Sequence, residues 1–359
     1  MTKPTVATLF AGCGGDSLGF TDAGFELVYA NDNNPDACNT LKNYFEKSTK
    51  KKIIQKGNIQ KIENFVSANV ITGGFPCQGF SLGGPRKVED ERNTLYQDLK
   101  RAIFSVKPEF FVAENVKGFV TIGEKSHEKY FENGKIIKLG KISQTIIDQL
   151  SDIGYNLSYE LHNAKEFGLP QERERIIIVG VRNDLDYKFK FPKPTHGPGL
   201  VSYVTMKQAK IDKIKFDNQI DVYREKKGNR KDYFSSRYMS RNRIRGWNQT
   251  SFTIPADAGQ IPANPNCTKM WSIDVTGKNR PKDNEWAEFR KINDKYIAKD
   301  LVRMSWKQCA VIQGFPKKYP FSGDIKSIYR QIGNAVPPPL MEKIAKCILP
   351  YFKGKKTSF

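Results

Sequence analysis

The segment Gly73-Gly74-Phe75-Pro76-Cys77-Gln78-Gly79-Phe80-Ser81 puts a cysteine behind a proline, between glycines, at the end of a β-prone run. Such a thiol can be a nucleophile, because a helix N-terminus or a nearby cation lowers its pKa and exposes the reactive thiolate. A buried structural cysteine is the competing reading; the polar flanks and the proline-fixed turn argue against full burial. Glu114, in Ala113-Glu114-Asn115-Val116, ends a second apolar run. Burial there would make it an acid, and solvation would leave it an ordinary helix-start carboxylate. In Gln171-Glu172-Arg173-Glu174-Arg175, two arginines at i and i+2 of a strand would share a face. They would offer planar forks to a base carbonyl or a phosphate, or else salt-bridge a strand edge. The turn Phe10-Ala11-Gly12-Cys13-Gly14-Gly15-Asp16 has no Gly-Lys-Ser/Thr ending, and Ser17 stands where G-x-G-x-x-G needs its last glycine. A glycine turn without a phosphate signature suits a nucleoside that carries no phosphate, such as S-adenosylmethionine, and Asp32 could accept from its ribose hydroxyls. The alternative is a tight strand–helix turn with a capping aspartate.

These turns need a scaffold that points them into one cleft. Thr5–Phe10, Phe25–Ala30, Val70–Thr72, Phe110–Ala113 and Ile176–Val181 read as strands, and Asp16–Ala23 and Asp36–Phe45 as helices. Alternating strands and helices predict an α/β fold with a mostly parallel sheet, Rossmann-like, whose ligands sit at the carboxyl ends of the strands. From Asn183 to about Asp300 the chain turns irregular, with many turn residues, scattered aromatics (Tyr233, Phe234, Tyr238, Trp247) and clustered charge. Residues 201–250 carry 13 basic and 5 acidic side chains, a net +8. The expected division is a discontinuous first domain, 1–183 completed by 301–359, and a second domain at 184–300. Lys135–Lys141 reads as a polar surface loop, and Ser305-x-x-Gln308 spells a capping box.

The whole chain, 359 residues with a formal net charge of +21, favours a polyanionic partner such as nucleic acid, although solvated surface lysine would also account for it. No apolar run approaches the ~20 residues of a membrane span, and no secretory signal is evident at the start, so a cytoplasmic protein is expected. The six cysteines show no C-x-x-C spacing and there are three histidines, which disfavours a zinc site and a disulfide framework.

In order and spacing these turns resemble the cytosine-5 DNA methyltransferases, over nearly the whole chain. Phe10–Gly15 resembles the family's cofactor loop, Gly74–Gln78 its Pro-Cys motif, Glu114–Val116 its Glu-Asn-Val, and Gln171–Arg175 its Gln-x-Arg-x-Arg. Gln313-Gly314-Phe315-Pro316 and Gly333-Asn334-Ala335-Val336-Pro337 resemble its last two motifs. The resemblance implies Cys77 as nucleophile on cytosine C6, Glu114 at N3 and the exocyclic amine, and Arg175 on the base carbonyl. Arg173 would lie nearby, on a phosphate or the carboxylate. It implies S-adenosylmethionine bound by Phe10, Gly12, Gly14, Asp32, Asn58, Ile59, Leu95, Asn334 and Val336, with S-adenosylhomocysteine as product and the C-terminal helix returning to the first domain. Duplex DNA would be contacted by Gln78, Ser81, Arg241, Arg243 and Arg245, with the target base flipped into the pocket. Segment 81–92 is expected to be a loop that closes over the substrate. The run from Met239 through Ile254 resembles that of bacterial modification enzymes for GC-rich sites such as GGCC. Restriction–modification self-protection in a prokaryote follows, by a nucleoid-associated monomer that needs neither metal nor a complex with its cognate endonuclease. A tRNA cytosine-5 methyltransferase and a catalytically inactive DNA-binding relative are the rival readings. Three positions depart from the family pattern: Thr8 for an aspartate, Asn58 for an aspartate and Gln308 for a glutamate.

Overall fold

A computed structural model describes residues 2–47, 50–76, 95–122, 129–132, 135–224, 234, 238, 242–267, 289–292, 295–298 and 301–354. Cys77, Gln78, Ser81, the expected closing loop 81–92 and Arg241 lie outside the described residues.

The first compact unit comprises residues 1–167, 174–195 and 335–359. Its frame is a seven-stranded sheet of β1 (Thr5–Leu9), β2 (Glu26–Asp32), β3 (Ile54–Lys56), β4 (Val70–Gly73), β5 (Phe110–Val116), β6 (Tyr155–Asn163) and β7 (Glu174–Arg182). The spatial order is β3-β2-β1-β4-β5-β7-β6. The first five strands are mutually parallel, and β7 runs antiparallel between β5 and β6. Strands β4 and β5 read as continuous apolar runs because helices cover both faces of a parallel sheet, and nearly every residue in them is buried. The core joins Leu9, Ile71, Phe111, Ala113, Ile176 and Ile178 to Leu99, Ala102 and Ile103 of α3 (Tyr96–Val106) and to Ile146, Ile147 and Leu150 of α4 (Lys141–Ser151). Helix α1 (Gly15–Ala23) follows β1, and α2 (Pro35–Leu41), capped by Asn34, follows β2 before a wider π turn at Lys42–Glu46.

Two details depart from the sequence reading. The polar stretch 135–141 is not a plain loop, since Lys135–Ile136 pairs with Phe131–Glu132 in a short antiparallel ladder before α4 begins. Strand β6, which was not expected, has a mixed burial pattern that its half-polar sequence hides, and its partner β7 carries the stronger apolar signal.

The second compact unit comprises residues 168–173 and 196–334. It is mostly irregular, with α5 (Trp306–Ile312) and α6 (Ile325–Asn334) as its longer helices among the described residues. The capping box at Ser305 is formed: its side chain accepts from Gln308 N, and Gln308 Oε1 accepts from Ser305 N at 3.1 Å. Buried Arg303 organises this unit by donating to Gly259 O and lying 4.3 Å from the Phe234 ring centroid and 4.8 Å from that of Tyr238. The units do not follow the composition boundaries. Residues 301–334, expected in the first domain, pack in the second unit, and 184–195, expected in the second domain, pack in the first, where the C-terminal helix α7 (Pro338–Gly354) also packs.

Candidate active site

The glycine turn forms at the carboxyl end of β1, next to β2 on one side and β4 on the other, which is the switch point of the parallel strands. Phe10, Gly12 and Gly14 all have positive φ (50°, 53° and 93°). Glycine adopts this freely, whereas Phe10 is held there against its preference, partly buried on the core. A Cβ on Gly12 would meet nothing within 4 Å, so the backbone faces open space there. Asp32, at the end of β2, accepts from Gly12 N and Asn34 N at 2.8 Å each. Burial pushes its carboxyl up, and the amides of Asn34, Gly12 and Asn33 oppose that by stabilising the charge. Gly57 N donates to Asp32 O at 2.9 Å, which brings Asn58 to the same edge. Asn58 is exposed and caps the short turn that carries buried Ile59. Leu95 caps α3, partly buried against the core. The Val336 carbonyl oxygen occupies the space a Cβ at Gly15 would take, so the approach to α7 requires glycine. Thr8, where the family pattern has aspartate, is buried and accepts from Ser17 Oγ at 3.0 Å.

Strand β5 delivers Glu114 to the same edge. Because β7 is antiparallel, its first residues also reach this edge. Glu114 stands opposite Ile177 and Arg175 opposite Val116, so acid and base are diagonal neighbours on one face. Arg175 Nε lies 2.6 Å from Glu114 Oε1, both residues being buried. Burial lowers the Arg175 pKa, and the Glu114 charge counteracts it. A Cβ on Gly74 would sit 2.9 Å from Glu114 Oε2. Asn115 Nδ2 donates to Phe75 O at 3.3 Å, so the acid's neighbour pins the turn that leads into Cys77.

Other expected site residues are placed differently. Arg173 does not share a strand face with Arg175, since β7 begins at Glu174. It is 1% exposed and its guanidinium donates to Ile254 O at 3.2 Å and Gly333 O at 2.7 Å within the second unit. Asn334 also belongs to that unit, as the last residue of α6. Arg243 is buried, donates to Tyr238 O and Gln260 O, and stacks over the Tyr238 ring. Arg245 lies 4.0 Å from the Phe252 ring centroid and pairs with Glu172 at 2.5 Å. The positions of Asn115 and buried Asp16 were not singled out from the sequence; for Asp16 the signal was a carboxylate in a helical first turn that does not cap it.

With a glycine turn and a buried acid–arginine pair at one edge of a mostly parallel sheet, the chain also matches the family model for C-5 cytosine-specific DNA methylase, over residues 5–349. The chain belongs to that family and is a methyltransferase. It is 36% identical to the type II methyltransferase M.BspRI of Lysinibacillus sphaericus, across 96% of this chain and 81% of that one. It is 35% identical to the type II methyltransferase M.MthTI of Methanothermobacter thermautotrophicus, across 97% and 98%. Among solved structures, a DNA modification methyltransferase encoded in an E. coli prophage shares the fold with a TM-score of 0.64 at 22% identity, covering 98% of this chain and all of that one. Spodoptera frugiperda DNMT2 does so with a TM-score of 0.61 at 18% identity, covering 96% and 99%.

Proposed function

We propose that this chain transfers the methyl group of S-adenosylmethionine to C5 of a cytosine flipped out of duplex DNA, through a transient bond between Cys77 Sγ and ring C6. The observation that carries the reading is the buried Glu114–Arg175 pair at 2.6 Å beside the turn that runs into Cys77. The turn residues suit the cofactor: open space over Gly12, a partly buried Asp32 carboxylate to accept from ribose, and a sequence without a Gly-Lys-Ser/Thr ending. Phe10, Gly12, Gly14, Asp32, Asn58, Ile59, Leu95 and Val336 would hold it. When bound, S-adenosylmethionine supplies the electrophilic methyl group.

Cytosine C5 is a poor nucleophile until a group adds at C6. The Cys77 thiolate forms the S–C6 bond while Glu114 places a proton on N3, so negative charge does not accumulate on the ring. Arg175 donates to the base carbonyl. After C5 has been methylated, a base, such as a water molecule, removes its proton, the S–C6 bond breaks to return the thiolate, and N3 returns its proton to Glu114. Flipping costs a few kcal/mol and draws on many backbone contacts, which the +8 of residues 201–250 suits. The relatives' designation as type II methyltransferases supports a restriction–modification role inside a prokaryotic cell.

The test is bisulfite sequencing of DNA from cells that express the chain, with parallel transfer assays on duplex DNA and tRNA. Site-specific protection of cytosines in DNA is expected. Cys77→Ser should abolish transfer and retain DNA binding. Transfer to tRNA alone, or transfer by Cys77→Ser, would overturn the reading.

A further inference from the structure

Asp16 is a buried carboxylate that the reaction as described leaves unused. It is 5% exposed, in the first turn of α1, yet its side chain does not cap the helix. Oδ2 accepts from Thr72 Oγ1 at 3.2 Å, and Oδ1 has no hydrogen-bond partner. Thr72 pairs in register with Thr8 on β1 and Val112 on β5. Glu114 is two residues beyond Val112, so Thr72 and Glu114 face the same side of the sheet, where Asp16 lies. An unsatisfied carboxylate is costly to bury, and this one is placed against the family acid.

Among the described residues the charges around it are few. From β5 comes Glu114; Arg175 on β7 pairs with Glu114; from the loop before α1 comes Cys13, a neutral thiol because burial raises its pKa. Helix α7 presents Glu342 and Lys346 to Asp22, farther along α1. His162, opposite Arg175 in register, is pushed down to about 4 by burial and is neutral. With both carboxylates ionised, Asp16, Glu114 and Arg175 sum to −1 in a buried setting, and one shared proton brings them to zero. Burial and the Glu114 charge raise Asp16 to about 7, as expected for two acids that cannot both ionise freely.

We propose that Asp16 is a positioning residue for methyl transfer, whose charge holds a proton on Glu114 while the base is engaged. This rests on the reading of Glu114 as the acid at N3. With Arg175 on Glu114, the proton of the pair sits on Asp16. Once Arg175 turns to the base carbonyl, Glu114 loses its countercharge, Asp16 ionises, and the proton resides on Glu114. The three groups hold one proton, and a net charge of zero, until Glu114 places that proton on N3, and they regain it when N3 returns it.

The test compares pH profiles of single-turnover methyl transfer from pH 5.5 to 9 for the wild type, Asp16→Asn, Thr72→Val and Glu114→Gln. Asp16→Asn should move the alkaline limb towards acid by about one unit, a roughly tenfold loss at pH 8.5, and leave the acid limb and the KM for S-adenosylmethionine unchanged. Thr72→Val, which keeps the shape and removes the bond that favours ionised Asp16, should shift the limb in the same direction by less. An unshifted alkaline limb in both variants, or uniform scaling at every pH, overturns the role of Asp16. Full-rate transfer by Glu114→Gln overturns the reading of Glu114 beneath it, and is told apart by that variant alone.

Discussion

Replacing Asp16 with asparagine should stabilise the first unit, and do so increasingly as pH rises. An aspartate of ordinary pKa 3.8 in the unfolded chain that is raised to about 7 in the fold binds its proton more tightly when folded. The folded state therefore carries the extra proton between about pH 4 and pH 7, and stability falls with pH across that window, by up to about 1.4 kcal/mol per unit. Below the window both states are protonated and Asp16 costs nothing. Above it the full penalty applies, at most about 4 kcal/mol for a shift of roughly three units. Asparagine fills the same shape, still accepts from Thr72 and does not titrate. The excess stability of Asp16→Asn over wild type should thus grow by about 2 kcal/mol from pH 5 to pH 7 and level off by pH 8. Urea unfolding at each pH measures it, and hydrogen exchange of the β1 and β4 amides assigns the transition to the first unit. A difference constant to within about 0.5 kcal/mol from pH 5 to pH 8 would refute the buried, raised carboxylate and the charge count built on it.

Other perturbations follow from the same contacts. Arg175→Lys loses the Nε that lies 2.6 Å from Glu114 and the planar fork, and should lower kcat on the order of 100-fold with little change in cofactor binding, read by single-turnover transfer and calorimetry. Arg243→Ala strips a buried guanidinium from the carbonyls of Tyr238 and Gln260. It should cost about 1–3 kcal/mol in the second unit and weaken cognate and random DNA alike, as thermal unfolding and gel shifts would show. Gly19→Ala would push a methyl to 2.6 Å from Pro338 O and 2.7 Å from Met341 Cβ, and should destabilise the α1–α7 packing by about 1–3 kcal/mol in urea melts. Ser305→Ala removes the observed capping box and should cost about 1 kcal/mol by the same measurement.

Much of the scaffold was legible because local chemistry fixes it. The apolar runs at Val70, Phe110 and Ile176 became strands, and the glycines at 12 and 14 became the left-handed turn that ends β1. Ser305 and Gln308 formed their cap because a capping box needs four residues and no distant partner. Strand β6 escaped notice because a strand with one wetter face leaves a weak pattern.

For the site, the sequence by itself determined the residue types and their place at strand ends: a cysteine behind a proline, a glutamate near the end of β5, an arginine at the start of β7. Only the tertiary structure decided which of them meet. Arg175 lies at the start of its strand, and in a parallel strand that end would lie at the edge away from Glu114; the antiparallel insertion of β7 beside β5 brings it to 2.6 Å. Two residues earlier, Arg173 falls outside the strand and turns to the carbonyls of Ile254 and Gly333 instead. Asp16 looks like any helix-start carboxylate until the pairing of β1, β4 and β5 sets Thr72 and Glu114 around it. Strand direction and register depend on contacts far apart in the chain, so no local pattern encodes them, and they alone set which charges share a buried space.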